Sequence, residues 1–171
     1  MASVRKKYGK TSFGAFPSLG RSTASSLEAQ NAMQSFFVNN SRLGIPVTFH
    51  TETLHSAGAG STIFPMPCLQ GATWDLDLVH EVATSIAEQA RANGVDRGFS
   101  PEINVCTDQR FGRVEENFGE DPCLVSAMGV AAVSGLHGGN HGCVSIPLFW
   151  KFPSVYILTI IQNSSTTFWS L

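Results

Sequence analysis

The sequence predicts an α/β protein built on a parallel sheet. Three observations carry that prediction. Short apolar, β-branched runs alternate with longer segments of helical periodicity. The helical segments carry recognisable caps and breakers at both ends. The stretches between strand and following helix are long, as expected where working residues leave the C-terminal ends of parallel strands. The chain has 171 residues, 43% of them apolar and 14% charged, which suits one ordinary domain.

The first helix is expected from Ser25 or Ser26 to Val38, with Leu27, Met33, Phe36 and Phe37 forming a loose apolar stripe after a Ser cap. Ile45-Pro46-Val47-Thr48-Phe49 follows Gly44 and reads as a buried strand, with Pro46 near its start. The clearest helix runs from Leu76 to Asn93: Asp75 caps it, and Leu76, Val79, Val82, Ile86 and Ala90 recur at spacings of three or four. Gly94 supplies its left-handed end. Arg97 to Ile103 is the next expected strand, with Pro101 holding Ser100 extended. The third helix spans Pro122 to His137, capped by Asp121 and stopped by Gly138-Gly139, with Leu124, Val125, Met128, Ala132 and Leu136 along one face. A further strand around Ser12 to Phe16 precedes the first helix.

Composition excludes several classes. A formal net charge of −2 gives no basic excess for phosphate neutralisation, so no nucleic-acid partner is expected. Cys68, Cys106, Cys123 and Cys143 are too dispersed for a disulfide scaffold or a CxxC zinc site. The basic start at Arg5, Lys6 and Lys7 lacks an apolar segment behind it, so no signal peptide is seen and localisation stays unassigned. No membrane span is expected, because the longest apolar run, Val155 to Ile161, is far short of ~20 residues. That run is either a fourth strand or part of an ending alien to the domain.

Two loops concentrate the chemistry, His50 to Trp74 and Asn104 to Glu120. The second contains Asp108, Arg110, Arg113, Glu115 and Glu116 in a chain otherwise poor in charge. Carboxylates that accept from paired hydroxyls, with guanidinium forks that donate, are what a polyhydroxylated substrate needs. The same residues also suit an Arg–carboxylate network that pins the loop. The first loop offers His50, Glu52 and His55, of which Glu52 lies just past the strand. Ala57-Gly58-Ala59-Gly60-Ser61-Thr62 lacks the Lys of a phosphate loop. His137, His141 and Cys143 lack a fourth metal ligand, and no GxSxG elbow is present. No metal or cofactor is expected.

Ser41-Arg42-Leu43-Gly44-Ile45-Pro46-Val47, Glu52-Thr53-Leu54-His55, Thr62-Ile63-Phe64-Pro65-Met66-Pro67 and Ala72-Thr73-Trp74-Asp75 resemble the N-terminal barrel domain of glycoside hydrolase family 3. So do Phe99-Ser100-Pro101-Glu102-Ile103-Asn104-Val105, the segment from Asp108 to Pro122, and Gly135-Leu136-His137-Gly138. The likeness is dense over residues 25–139, about two-thirds of the chain, and is greatest to the β-glucosidase and β-xylosidase branch. Residues 1–24 are then a poorly defined leading segment and 140–171 an apolar tail without family likeness.

The resemblance implies part of a (β/α)₈ barrel, three or four βα units of a fold that usually needs ~250 residues. It implies a retaining exo-acting hydrolase of β-linked glucosides or xylosides that needs no metal. Glu52 and Arg113 match the positions that hydrogen-bond hydroxyls of the sugar, whereas Asp108, Arg110 and Glu116 match supporting positions. The family's Lys-His pair, nucleophile and acid/base fall beyond the resembling text, so no catalytic residue is assigned and the chain is expected to be inactive alone. The alternative is a non-catalytic sugar-binding or regulatory fragment.

Overall fold

The computed structural model of the chain describes residues 11–12, 14–18, 24–137 and 144–145. The expected strand at Val155–Ile161, the Gly138-Gly139 stop, and His141 and Cys143 lie outside the described residues.

Four strands form one parallel sheet in the spatial order β1-β2-β3-β4: β1 (Ala15–Pro17), β2 (Thr48–Thr51), β3 (Arg97–Gly98) and β4 (Val144–Ser145). The crossovers carry α1 (Ala24–Asn40), then α2 (Pro67–Gly71) with α3 (Leu76–Ala92), then α4 (Pro122–His137). Parallel neighbours cannot be joined by a tight turn, so each strand needs a long helical return. That return is what the alternating sequence pattern encodes.

The helices with local signals fall where they are expected. Asp75 accepts from the Leu78 amide at 3.0 Å and Asp121 from the Leu124 amide at 2.8 Å, each satisfying a free N–H of the first turn. Gly94 ends α3 with φ at 71°, and the Val95 amide returns to the Ala90 carbonyl at 3.0 Å. The α3 stripe of Val79, Ala83, Ile86, Ala87 and Ala90 is buried. Burying a side chain such as Ile86 contributes roughly 1.5–3 kcal/mol. This face packs with Val95 and Leu136 in one cluster, while Val79 joins Phe118, Val125, Met128 and Ala132 in another. A third cluster, Phe37, Val47 and Phe49 with Phe16, Met33 and Phe36, seats α1 against β1 and β2.

Three expectations need correction. α1 begins at Ala24, so Ser25 and Ser26 lie inside its first turn and not before it. It also outlasts Val38, because Asn39 and Asn40 each donate an amide N–H back to a carbonyl four residues earlier, both at 2.8 Å. The strand expected at Ile45–Phe49 is shifted to Thr48–Thr51, where register partners exist in β1 and β3; Ile45 is left exposed and Pro46 has no N–H to give. The strand expected over Arg97–Ile103 is interrupted: it pairs with β2 at Arg97–Gly98, the Phe99 amide still donates to the Thr51 carbonyl at 3.0 Å, and Glu102 makes only an isolated bridge. Between them Pro101 has no N–H to donate. The five-residue α2 was not expected; it starts with Pro67 in the first turn, where the missing N–H costs nothing.

Candidate functional site

The β2 and β3 ends bring two segments together although they lie almost fifty residues apart. Thr53, just past β2, is buried, and its Oγ1 lies 2.6 Å from Ser100 Oγ, just past β3. Gly98 makes room for this contact: a Cβ there would meet Thr53 Oγ1 at 2.3 Å. Glu52 directly precedes Thr53, and Glu102 lies two residues past Ser100.

The loop after β3 is closed at its neck by the Cys106 amide donating to the Gly119 carbonyl at 3.1 Å. It is seated by the buried Phe118, part of the α3–α4 core. Within it, Val114–Glu116 form a single 3₁₀ turn, and the fully buried Asn117 donates Nδ2–H to the Arg113 carbonyl at 2.7 Å. This fixes the backbone of Arg113, whose side chain stays one-third exposed.

Arg113 gathers carboxylates. Its Nε donates to Glu116 Oε2 at 2.9 Å and its Nη2 donates to the same oxygen. Its Nη1 lies 3.3 Å from Oε2 of Glu102, whose side chain has no exposed surface. Glu52 is near enough for Arg113 and Glu116 to act on its charge in opposite directions.

Loss of water around the Glu52 carboxyl raises its pKa above the ordinary carboxylate value; Arg113 opposes the rise and Glu116 adds to it. Burial raises Glu102 too, against Arg113 and an Asn104 backbone N–H, and again with Glu116. The hydrogen bonds to Glu116, above all, hold the Arg113 guanidinium firmly protonated.

Of the residues expected from sequence, the structure pairs Arg113 with Glu116 and leaves Glu52 within reach of their charges. Asp108 and Arg110 instead pair with each other: the Arg110 backbone N–H and Nε donate to Asp108 Oδ1 at 3.0 and 2.9 Å, and Nη2 donates to Oδ2 at 2.6 Å. Both are exposed, and among the described residues no hydrogen bond or ion pair joins them to Arg113. His55 Nδ1 lies 3.2 Å from the Phe64 carbonyl, and the His50 ring lies 4.7 Å from that of Phe99. Both histidines have structural neighbours.

Glu102 is the residue that sequence reasoning passed over. It stands in the family-like run Phe99–Val105, an acidic residue directly after Ser100-Pro101 in an otherwise apolar stretch, but was given no role there. A cavity of about 20 Å³ lies behind the strand ends, lined by Thr53, Pro67, Ile86, Phe118 and Leu136 among others. None of the charged cluster lines it, so it is a packing gap of about one water molecule and not the site.

A parallel α/β sheet with an arginine–carboxylate cluster in the loops past its C-terminal strand ends belongs to the class of α/β proteins that work at that edge. The model of the glycosyl hydrolase family 3 N-terminal domain matches residues 6–148, so the chain belongs to that family. It is 42% identical over 106 residues to a β-xylosidase of Formosa agariphila, covering 58% of this chain and 15% of the relative. It is 30% identical over 117 residues to a lysosomal β-glucosidase of Dictyostelium discoideum, covering 67% of this chain and 14% of the relative. Among solved structures, a β-glucosidase from Erythrobacter marinus superposes with a TM-score of 0.77 at 31% identity, over 86% of this chain and 21% of that one. A Listeria innocua β-glucosidase bound to laminaribiose superposes with a TM-score of 0.67 at 31% identity, over 77% and 18%. The chain thus spans about 15% of the length of curated relatives that it matches. Among the described residues, no helix is long and apolar enough to cross a membrane.

Proposed function

We propose that this chain is the sugar-holding part of a retaining exo-glycosidase acting on β-linked glucosides or xylosides, and that its sheet is the first three or four βα units of a (β/α)₈ barrel. One observation carries the reading: a guanidinium held by two carboxylates keeps donors in hand, with the exposed Glu52 within reach of its charge. Arginine has five N–H groups. Two go to Glu116 and at most one faces Glu102, so at least two remain for sugar hydroxyls. Glu52, exposed and within the field of Arg113, supplies the matching acceptors. Names of relatives as β-xylosidase and β-glucosidase support the substrate class.

Glu116 braces Arg113 within the loop, while Asp108 and Arg110 brace the loop tip. Breaking the bond in a retaining enzyme takes two carboxyl groups ~5–5.5 Å apart, one nucleophile and one acid/base. Neither role falls to a residue of this chain, Glu115 included.

The test is a thermal melt of the purified chain in rising D-glucose and D-xylose. A sugar that binds only the folded state raises the melting temperature by mass action. Arg113→Ala and Glu52→Gln should each remove the shift. A cooperatively melting chain that shows no shift at high sugar refutes the binding role. The chain alone should not hydrolyse aryl β-glucosides above buffer, and turnover abolished by Glu115→Gln would overturn this assignment of roles.

A further inference from the structure

Arg113 and Glu116 belong to one 3₁₀ turn and are both partly exposed. Their pair fixes the guanidinium relative to its own loop, but a loop and its internal pair can shift together. Glu102 is attached elsewhere. It leaves β3 by way of Ser100 and Pro101, has no exposed surface, and reaches Arg113 Nη1 at 3.3 Å. Glu116 engages the Nε and Nη2 edge of the guanidinium while Glu102 meets Nη1, so the two carboxylates hold it from different sides.

We infer that Glu102 is a positioning residue that fixes Arg113 relative to the sheet and so sets its placement against Glu52. The connection is short and continuous. Glu52 is followed by Thr53, Thr53 Oγ1 meets Ser100 Oγ at 2.6 Å, and Glu102 stands two residues beyond Ser100 and faces Arg113. Both sugar-facing groups are thereby referred to the same pair of strand ends. A fully buried carboxylate is costly to keep, and a surface Arg–Glu pair does not need one. A guanidinium that must present its free N–H groups in a fixed plane does.

The inference rests on the sugar-holding role proposed for Arg113, and the test separates the two. The Arg113 Nε–Hε resonance, assigned by its loss in Arg113→Lys, is followed by NMR in the wild-type chain, Glu102→Gln and Glu116→Gln, without sugar and in a D-glucose titration. Glu102→Gln should displace or broaden the Arg113 signal while the other amide resonances stay dispersed. It should also weaken glucose binding by roughly tenfold or more, as loss of the outer partner of a metal ligand does for metal affinity. A folded Glu102→Gln with wild-type Arg113 signal and glucose affinity overturns the inference. If Glu102→Gln does not fold, Glu116→Gln decides. Retained but weaker glucose binding there supports a second holder, and loss as complete as in Arg113→Ala overturns it. A wild-type chain that ignores glucose, yet whose Arg113 signal moves in Glu102→Gln, keeps the positioning role and removes the sugar-holding one.

Discussion

Replacing Arg113 with Met should destabilise the fold mainly through a residue that is not mutated. Met preserves much of the aliphatic stem but removes the cation facing Glu102, whose carboxylate has no exposed surface. Removing one partner of a buried pair costs ~3–5 kcal/mol, because the remaining charge is stranded. Arg113 is itself one-third exposed, so water reaches part of the cluster and a loss of about 2–4 kcal/mol is the better expectation. For a chain of this length that lowers the melting temperature by roughly 5–15 °C. Glu116 is partly exposed and adds little.

The loss must depend on pH in a defined direction. Burial already raises the Glu102 pKa and Arg113 opposes it, so removing Arg113 raises it further. A carboxyl whose folded pKa exceeds its unfolded value stabilises the fold below the unfolded pKa, and that contribution fades as pH rises through the folded one. The deficit of Arg113→Met is therefore smallest near pH 4 and grows towards pH 7. Urea unfolding of wild type, Arg113→Met, Glu102→Gln and the double variant, at several pH values, measures the coupling directly. A loss below about 1 kcal/mol at pH 7, or the same loss when Glu102 is already Gln, would refute the reasoning.

Two further outcomes are expected. Gly71→Ala places a Cβ 2.0 Å from the Phe118 carbonyl oxygen, and backbone cannot give way as a flexible side-chain end would. The overpacking should cost ~1–3 kcal/mol and also weaken glucose binding, because Phe118 seats the Arg113 loop; a urea midpoint equal to wild type would contradict it. Acidification should move binding and stability in opposite directions. An ionised Glu52 accepts sugar hydroxyls more strongly than a neutral carboxyl, and its raised pKa means glucose affinity falls at a higher pH than for an ordinary carboxylate. The same raised pKa, with that of Glu102, makes these two groups favour the fold more at low pH than at neutral pH. Glucose affinity unchanged from pH 7 to pH 4 would exclude Glu52 as an ionised acceptor.

What was legible in the sequence was what is decided locally. Asp75, Gly94, Asp121 and Pro122 act within a turn of their own helix, so α3 and α4 begin and end close to where the text indicates. Strand extents are decided by partners far along the chain. Ile45 and Val47 have the residue types of a strand, yet pairing is set by where β1 and β3 lie. α2 has five residues, too few for any periodicity to register.

The charged loop divides in the same way. The Asp108–Arg110 pair spans two residues and the Arg113–Glu116 pair three, so both are readable as local networks. Glu102 meets Arg113 only after the loop has folded back over the strand ends, and nothing in the spacing reports that. The family resemblance brought Glu52 and Arg113 forward; the geometry added the buried carboxylate that faces Arg113.

The Thr53–Ser100 contact bears on how this chain folds as well as on what it holds. It closes a separation of 47 residues, and parallel pairing across such a distance is slow because loop-closure entropy must be met before any contact repays it. Glu52 and Arg113 cannot face each other until β2 and β3 have met. A sugar that bridges them would grip two successive βα units at once. Its binding would act as a clasp on the crossover, and its on-rate would count only those molecules in which the crossover is complete.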